Sequence, residues 1–266
     1  GNTSFEINTT SADNTNANRN MTFDSNGVTW TSDTGNANAS GGTYLLAAWK
    51  EAATAGFDMV GYSGDGNSGR SVSHSLGVIP EIMIIKRRTN TDPWPVYHKS
   101  MAANEYVLLD QDVGKVTTKS YYSGTRPTSS VFTVGDNNGT NGTSNTYMAY
   151  LWSSVAGFSK VGTYEGIGGS SGPTIDTGFR PGYVIIKNVD ADARWWIVKS
   201  DNLPTYNATV TGLAFNNTDD EDNLSTIDIL SNGFKIRNNG SYTNTNGATY
   251  IYLAFAAYPF KYANAR

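Results

Sequence analysis

Residues 77–86 read Gly-Val-Ile-Pro-Glu-Ile-Met-Ile-Ile-Lys, and residues 178–187 read Gly-Phe-Arg-Pro-Gly-Tyr-Val-Ile-Ile-Lys. In both stretches a Gly and a Pro precede a short, continuous apolar run that ends at a lysine. Continuous runs of this length are typical of strands that are covered on both faces, because a half-exposed strand alternates apolar and polar residues. The two stretches therefore predict one buried strand, formed twice.

The repetition extends well beyond these strands, because the chain resembles itself at a shift of about 101 to 103 residues. Ala-Gly-Phe at residues 55–57 returns at residues 156–158, and Trp94 returns as Trp195. Periods this long are too long for solenoid units and suit serial globular modules. The sequence therefore predicts a tandem duplication.

A third copy of the end of the repeat stands near the start of the chain. Thr-Tyr-Leu-Leu at residues 43–46 matches residues 146–149 and 249–252, and Ser-Asn-Gly at residues 25–27 returns at residues 231–233. About two strands cannot bury a hydrophobic face alone. The partial repeat must pack on the first full repeat or complete a module whose earlier half lies upstream or in another chain, and we favour the upstream half.

These matches divide the chain into four parts. We predict a polar linker or arm over residues 1–21, a partial repeat over 22–50 that is the C-terminal part of a preceding module, a first full β module over 51–154 and a second over 155–261.

The composition predicts an all-β fold. Charged residues make up only 16% and aromatic residues 12%, while Asn, Thr, Ser and Gly are abundant. Thr and aromatic residues suit strands, and Asn, Gly and Ser suit turns. Seven to nine short strands in roughly a hundred residues indicate β-sandwich or jelly-roll-like modules. The Asn-Gly pairs that begin at Asn138, Asn141, Asn232, Asn239 and Asn246 predict tight turns with positive φ.

Charge and residue usage exclude several classes of function. The 266 residues carry 19 Lys and Arg against 23 Asp and Glu, and the pI is about 5.2. This balance, with no basic stripe, argues against nucleic-acid binding. There is no Cys and there are only His74 and His98, which excludes a thiol nucleophile and most zinc sites. No apolar run approaches the roughly 18 residues of a membrane span. We expect no cofactor, no nucleic acid and no membrane partner.

Two motifs resemble known ligand sites. Residues 64–69 match G-x-G-x-x-G, but the following residues alternate like a strand, whereas a dinucleotide site needs a helix there; we interpret the motif as a hairpin loop. The acidic run includes Asp219, Asp220 and Asp222, which are the weak candidates for a Ca²⁺ site. The run lacks EF-hand spacing, so we favour a solvated loop.

His98 is the one residue from which an acid–base pair can be drawn, with Asp92 as its orienting carboxylate. The second repeat has Lys199 near that place and no equivalent pair. No catalytic triad can be assembled with any specificity. We therefore interpret His98 as a structural or surface histidine and predict no catalytic residue.

Aromatic residues fall into two groups. The tryptophans that recur between repeats are predicted to pack in the core: Trp49, Trp94, Trp152 and Trp195. Those that do not recur are candidates for a surface that stacks on sugar rings: Tyr121, Tyr122, Trp196 and Tyr206.

Residues 178–187, 231–235 and 247–261 carry a likeness to a known family. They resemble a repeated β-rich domain common in virion proteins of marine bacteriophages, which are tail-fibre-like or other structural appendages. The resemblance covers about residues 22–261. The first repeat departs from it, because Pro80-Glu81 replaces Pro181-Gly182.

The resemblance implies a non-enzymatic structural protein of the virion. One hypothesis is a tail-fibre or appendage segment that binds host surface glycan, and another is a capsid decoration, head-fibre or spacer protein with no ligand. A glycan-cleaving tailspike-type enzyme is a minor alternative, because neither a long parallel β-helix nor paired carboxylates are visible. The expected partners are other virion proteins and further copies of the chain, as in a trimer.

Overall fold

The computed structural model of the chain describes residues 3–4, 10–12, 14–15, 20–25, 27–32, 40–41, 44, 46–200, 211–214, 216, 222–223 and 227–258. Within these residues the chain is almost entirely β, which confirms the predicted fold class. No helix of the described part is long and apolar enough to cross a membrane.

The first module forms one large and one small antiparallel sheet. Its strands are β5 (Phe57–Ser63), β6 (Arg70–Ser73), β7 (Ile82–Arg87), β8 (Pro95–His98), β9 (Glu105–Leu108), β10 (Val116–Thr117), β11 (Val131–Val134) and β12 (Thr146–Trp152). A 3-10 turn at Ala53–Ala55 precedes them, and α1 (Asn138–Asn141) precedes β12. The large sheet has the order β10-β9-β8-β7-β12-β5, and the small sheet pairs β11 with β6.

The second module repeats this arrangement. Its strands are β13 (Ser159–Glu165), β14 (Thr174–Asp176), β15 (Pro181–Asn188), β16 (Trp196–Lys199), β17 (Thr211–Ala214), β18 (Asp222–Asn223), β19 (Ile227–Leu230), β20 (Gly233–Ile236) and β21 (Thr249–Ala256). The large sheet has the order β18-β17-β16-β15-β21-β13, and β14, β20 and β19 form the small sheet. The strand order of the two large sheets is therefore equivalent.

Both faces of each large sheet carry residues of a hydrophobic core. One face packs on the small sheet of its own module and forms an outer core, which includes Met83 and Ile85 in the first module. The opposite faces of the two large sheets contribute to one central core, which includes Ile82 and Val161. The alternation along β7, with Ile82 towards the central core and Met83 towards the outer core, explains the continuous apolar run. Coverage of both faces, as predicted from the run, is confirmed.

The first fifty residues hold strands that copy the modules. β1 (Thr3–Ser4) pairs with β2 (Asn14–Thr15), and Thr3 faces Thr15 as Glu105 faces Thr117 between β9 and β10. Strands β3 (Asn20–Asp24) and β4 (Gly27–Ser32) pair with each other, and their register at the turn is the same as that of β19 and β20. The segment that we predicted as a linker, residues 1–21, therefore contains β1 and β2, and the copied pattern begins before residue 22.

Candidate functional site

The most distinctive polar group in the fold is Lys187, at the end of β15. Its side chain has no exposed surface. The Lys187 Nζ donates a hydrogen bond to the backbone oxygen of Asp112 at 2.7 Å and a second, short one to the backbone oxygen of Ala193. Because Asp112 belongs to the first module, this lysine fastens the second module to the first.

Burial controls the charge of Lys187. It lowers the pKa of the ammonium to about 8, since the charged form loses its hydration, while the carboxylates of Asp112 and Asp192 oppose the shift. The backbone oxygens replace part of the lost hydration. Lys187 is thus a buried hydrogen-bond donor whose acceptors are main-chain oxygens.

The end of β9 and the segment that follows it form further hydrogen bonds with the second module. The Ala193 backbone N–H donates to the Asp112 oxygen at 2.6 Å, and the Lys115 N–H donates to the Val189 oxygen at 2.6 Å. The Trp195 indole N–H donates to the Leu108 oxygen at 2.7 Å. Together they form a continuous docking contact between the modules.

Gly114 lies close to the backbone of the second module at this contact. A Cβ placed on Gly114 would lie 3.2 Å from the Val189 oxygen and 3.2 Å from the Ala191 nitrogen. The Gly114 N–H also donates to the Asp192 carboxylate at 3.1 Å, and the ammonium of Lys115 pairs with Asp190 at 2.8 Å. A side chain at Gly114 would therefore require the backbone at Val189 and Ala191 to shift by a few tenths of an ångström.

The same contact joins the N-terminal partial repeat to the first module. Lys86, at the end of β7, has no exposed surface, and its Nζ donates to the backbone oxygen of Thr10 at 2.9 Å and to that of Asp92 at 3.0 Å. The Asp92 N–H donates to the same Thr10 oxygen at 2.9 Å. Thr10 thus serves Lys86 as Asp112 serves Lys187. The contact from the partial repeat to the first module is repeated from the first module to the second.

The ends of the three repeats meet in the central core. Trp49, which ends the partial repeat, lies 6.0 Å from Trp152 and 5.3 Å from Phe255 between ring centroids. These three residues hold equivalent positions at the ends of the repeats. In a linear array the first repeat would not touch the third. The three repeats therefore surround a common axis.

The predicted core role of the recurring tryptophans is confirmed. Trp94, Trp152 and Trp195 are all buried in the central core, and Trp49 is half-buried against it. Their recurrence reflects equivalent positions around the axis.

The G-x-G-x-x-G motif forms a loop, but the predicted hairpin is wrong, because β5 and β6 on either side of it belong to different sheets. The buried side chain of Asn141 accepts a hydrogen bond from the Asp65 N–H at 3.1 Å and donates to the Asn67 oxygen at 2.9 Å. In the second module Asn244 does the same with the Ile167 N–H at 2.8 Å and the Gly169 oxygen at 2.7 Å. Each asparagine clamps the loop that follows the first strand of its module.

His98 and Asp92 do not form a pair. His98 is fully buried, and its Nδ1 bonds with the Ser100 hydroxyl at 2.7 Å, while Asp92 forms an ion pair with Arg87. Burial lowers the pKa of His98 to about 3, with the nearby Lys99 adding to the shift and Glu81 opposing it. The imidazole is therefore neutral near pH 7, as a structural histidine would be.

The aromatic candidates for sugar stacking are mostly inside the protein. Trp196 and Tyr122 are each only 2% exposed, so neither can stack on a sugar in this fold, and that prediction is corrected for both. Trp196 packs in the outer core of the second module, and Tyr122 donates its hydroxyl to the Pro95 oxygen at 2.9 Å. Tyr121 is half-buried. Tyr206 lies outside the described residues.

The weak Ca²⁺ candidates cannot be placed. Asp219 and Asp220 lie outside the described residues, and the position of the Asp222 side chain in β18 is also outside them. Elsewhere in the described part of the chain, no three His, Asp or Glu side chains form a cluster that could hold a metal ion.

Sequence reasoning missed the two lysines and the two clamping asparagines. Lys86 and Lys187 end the two apolar runs quoted first, and each lies eight residues before a recurring tryptophan. Recurrence of a charged residue beside a buried strand was the available indication, because a lysine is rarely buried without partners.

A cavity of about 280 Å³ lies between the end of the partial repeat and the second module, lined by Leu46, Ala47, Ala48, Trp49, Phe158, Gly182, Tyr183, Lys199, Phe255 and Ala256. Its wall is mainly apolar. It has no cluster of acidic or histidine side chains, so it offers contact surface more than catalytic groups.

Comparison with known proteins gives a match to a protein family. No curated protein and no solved structure matches the chain. The match covers residues 52–259, and thus both modules together. The chain therefore belongs to the family described as "Domain of unknown function (DUF7483)".

Proposed function

We propose that this chain is a non-enzymatic structural protein of a bacteriophage particle, a segment of a tail-fibre-like appendage. The observation that carries the proposal is the closed arrangement of three repeats around one core, marked by Trp49, Trp152 and Phe255. Such a unit is suited to bearing load and presenting surface. The phage setting rests on the resemblance over residues 22–261.

The use of the buried polar groups supports a structural role. Lys187, Asn141 and Asn244 direct their polar atoms at backbone groups of neighbouring segments. Each of these contacts joins parts of the chain that are distant in sequence. The neutral, buried His98 is likewise directed at Ser100. These contacts hold distant segments of the fold together, as expected of a structural protein.

A glycan-binding role for the appendage retains little support among the described residues. Two of its four candidate aromatics are buried, and Tyr121 is half-buried with its ring 4.5 Å from that of Tyr106. The appendage or spacer role is thus favoured over a receptor-binding role. Repetition of the module along a particle would still strengthen weak contacts through effective concentration.

The proposal is tested on phage particles that encode this chain. Purified particles are digested for mass spectrometry and labelled with gold-conjugated antibody against the recombinant chain. We expect the chain in the particle, with label on the tail appendages. Label on the head would favour a decoration protein, and absence from particles would overturn the virion role.

A second experiment addresses ligand and enzyme alternatives. The mass of the recombinant chain is measured by light scattering with and without isolated host envelope, and the envelope glycan is then analysed for cleavage. We expect neither capture nor cleavage. Capture of envelope would favour a receptor-binding role, and cleavage would contradict the non-enzymatic proposal.

A further inference from the structure

The cavity beside the second module has an aromatic wall. Four of its lining residues are aromatic, and the rings of three of them lie close to that of Phe255. The Phe255 centroid lies 5.3 Å from that of Trp49 and 6.0 Å from that of Phe158. It lies 6.3 Å from that of Tyr183. An apolar cavity of about 150 Å³ can hold benzene. At about 280 Å³, this cavity is large enough for one aromatic ring with a short polar substituent.

The cavity is accessible from solvent on the side of the partial repeat. Leu46, Ala47 and Ala48 line it there, and all three are exposed. The side chains of Phe158 and Tyr183 are half-buried on the side of the second module. A small molecule therefore reaches the aromatic wall without unfolding of either repeat.

Two polar side chains stand next to each other in the cavity wall. Tyr183 on β15 and Lys199 on β16 are directly opposite in the strand register, so their side chains lie on the same face of the sheet. In the described part of the chain the Tyr183 hydroxyl has no hydrogen-bond partner. Burial raises the pKa of Tyr183, and no charged group contributes to the shift. The hydroxyl therefore keeps its proton and is available as a hydrogen-bond donor.

The charge of Lys199 is not balanced at this place. The described residues that line the cavity include no Asp or Glu, and no carboxylate elsewhere in the described part forms an ion pair with Lys199. A lysine lays its apolar stem along apolar surface and presents its ammonium at the edge. An ammonium beside an apolar cavity, with no counter-ion from the protein, favours an occupant that is negatively charged.

The equivalent place in the first module is closed. Ile82 faces His98 there, as Tyr183 faces Lys199 in the second module. Ile82 is 3% exposed and His98 has no exposed surface, whereas Tyr183 and Lys199 are both half-buried. The accessible pair of donors is therefore a feature of the second module and not of the repeat as such.

The first module also has its own carboxylate at this place. Glu81 precedes Ile82, its charge acts on His98, and it forms an ion pair with Lys99 at 2.7 Å. In the second module the position of Glu81 is taken by Gly182, which lines the cavity. A Cβ on Gly182 would lie only 2.7 Å from the Cα of Ala257. The second module thus retains a lysine here but has neither the carboxylate nor room for its side chain.

We propose that this cavity binds a small organic monocarboxylate with an apolar body. The apolar ring or chain of the ligand packs against Trp49, Phe158 and Phe255. Its carboxylate accepts hydrogen bonds from the Tyr183 hydroxyl and the Lys199 ammonium, and so supplies the negative charge that Glu81 supplies in the first module. This inference does not depend on the virion role.

The experiment compares phenylacetate with its neutral analogue phenylacetamide. Dissociation constants of both for the whole chain are measured by titration with ligand-observed saturation-transfer NMR, at low ionic strength to limit screening. We expect saturable binding of phenylacetate, with phenylacetamide at least about tenfold weaker, because hydrogen bonds to an ionised group are about twice as strong as neutral ones. Absence of saturable binding, or equal dissociation constants for the two compounds, would overturn the proposal.

Three variants locate the binding. Lys199→Gln should bind phenylacetate about tenfold more weakly and no longer distinguish it from the amide, whereas Tyr183→Phe should weaken binding less. Ala48→Trp, at an exposed position of the lining, should weaken both compounds by obstructing the cavity. Lys160→Gln, at an exposed position elsewhere on the second module, is the matched control and should bind like wild type. An equal loss in Lys160→Gln, or unchanged binding in Lys199→Gln and Tyr183→Phe, would contradict the assigned site.

Discussion

Trp49 and Phe255 come from opposite ends of the chain, and their rings lie 5.3 Å apart between centroids. Each residue ends its own repeat, with Trp152 at the equivalent place between them in sequence. Because of this contact, the first and last repeats touch, and the repeats form a closed arrangement instead of a linear array. The stability of the closed form should therefore depend on the groups that fasten one repeat to the next.

Replacing Lys187 by methionine should destabilise the protein. Methionine preserves most of the volume but removes the lysine donor from the backbone oxygen of Asp112 and from the buried one of Ala193. Loss of a donor to a buried acceptor costs about 1 to 3 kcal/mol. Urea unfolding of Lys187→Met should show a lower midpoint. In the control Lys160→Met, at an exposed position, the free energy of unfolding should stay within about 0.5 kcal/mol of that of the wild type. An unchanged midpoint for Lys187→Met would contradict the fastening role.

The stability of the wild-type chain should rise on mild alkalinisation. The pKa of Lys187 is about 8 in the folded chain and about 10.4 in an unfolded one. Between these values the unfolded state binds more protons, so the free energy of unfolding increases with pH. Urea unfolding between about pH 8 and 9.5 should show this increase. The upper limit avoids the tyrosines whose raised pKa values act in the opposite direction. The increase should be absent in Lys187→Met, and a parallel increase there would assign it to another group.

Acid should destabilise the protein through His98. Its pKa is about 3 in the folded chain and about 6.5 when unfolded, so below pH 6.5 the unfolded state binds a proton that the folded state does not. The free energy of unfolding should fall as pH decreases from about 6.5 to 5, with a limiting slope of about 1.4 kcal/mol per pH unit. In His98→Asn, where the amide oxygen replaces Nδ1 as acceptor, the slope should be smaller. Equal slopes would show that His98 is accessible to protons.

Replacing either clamping asparagine, Asn141 or Asn244, by aspartate should destabilise the protein. In Asn141→Asp an oxygen replaces the amide nitrogen that donates to the Asn67 oxygen and the Asp65 carboxylate. Two hydrogen-bond acceptors would then face each other at a buried position. We expect the free energy of unfolding to fall by several kcal/mol. Asn244→Asp should behave similarly, whereas Asn246→Asp, at an exposed position, should have little effect. Differential scanning calorimetry measures all three variants, and near-equal melting temperatures would contradict the clamp.

Much of the fold follows from local patterns in the sequence. The apolar runs at residues 82–85 and 183–186 predicted strands covered on both faces, because a run without alternation has no solvent side. Recurrence predicted the burial of Trp94 and Trp195. What the patterns lack is the rotation between repeats. A sequence shift says that two units are alike but does not specify whether they form a line or a ring.

The site was less predictable because several of its side chains are found in environments that are unusual for their residue type. Lysine is usually exposed, yet Lys86 and Lys187 are buried, and each donates a hydrogen bond to a main-chain oxygen of the preceding repeat. The Asn-Gly pairs suggested turns, but of their glycines only Gly247 has a positive φ, and Asn141 acts through its side chain. Absence of recurrence suggested exposure for Trp196, which is instead packed in an outer core. Such roles depend on contacts between distant segments.

The closed arrangement is the central claim, and cross-linking within one chain tests it most directly. Ala48 and Lys199 line the same cavity between the partial repeat and the second module. Ala48→Cys with Lys199→Cys is treated with a short bismaleimide. The pair Lys115→Cys and Asp190→Cys, at an ion pair between the two modules, is the positive control. We predict intrachain cross-links for both pairs, lost in denaturant. A cross-link for the control pair alone would show that the partial repeat does not reach the second module, and would contradict the ring.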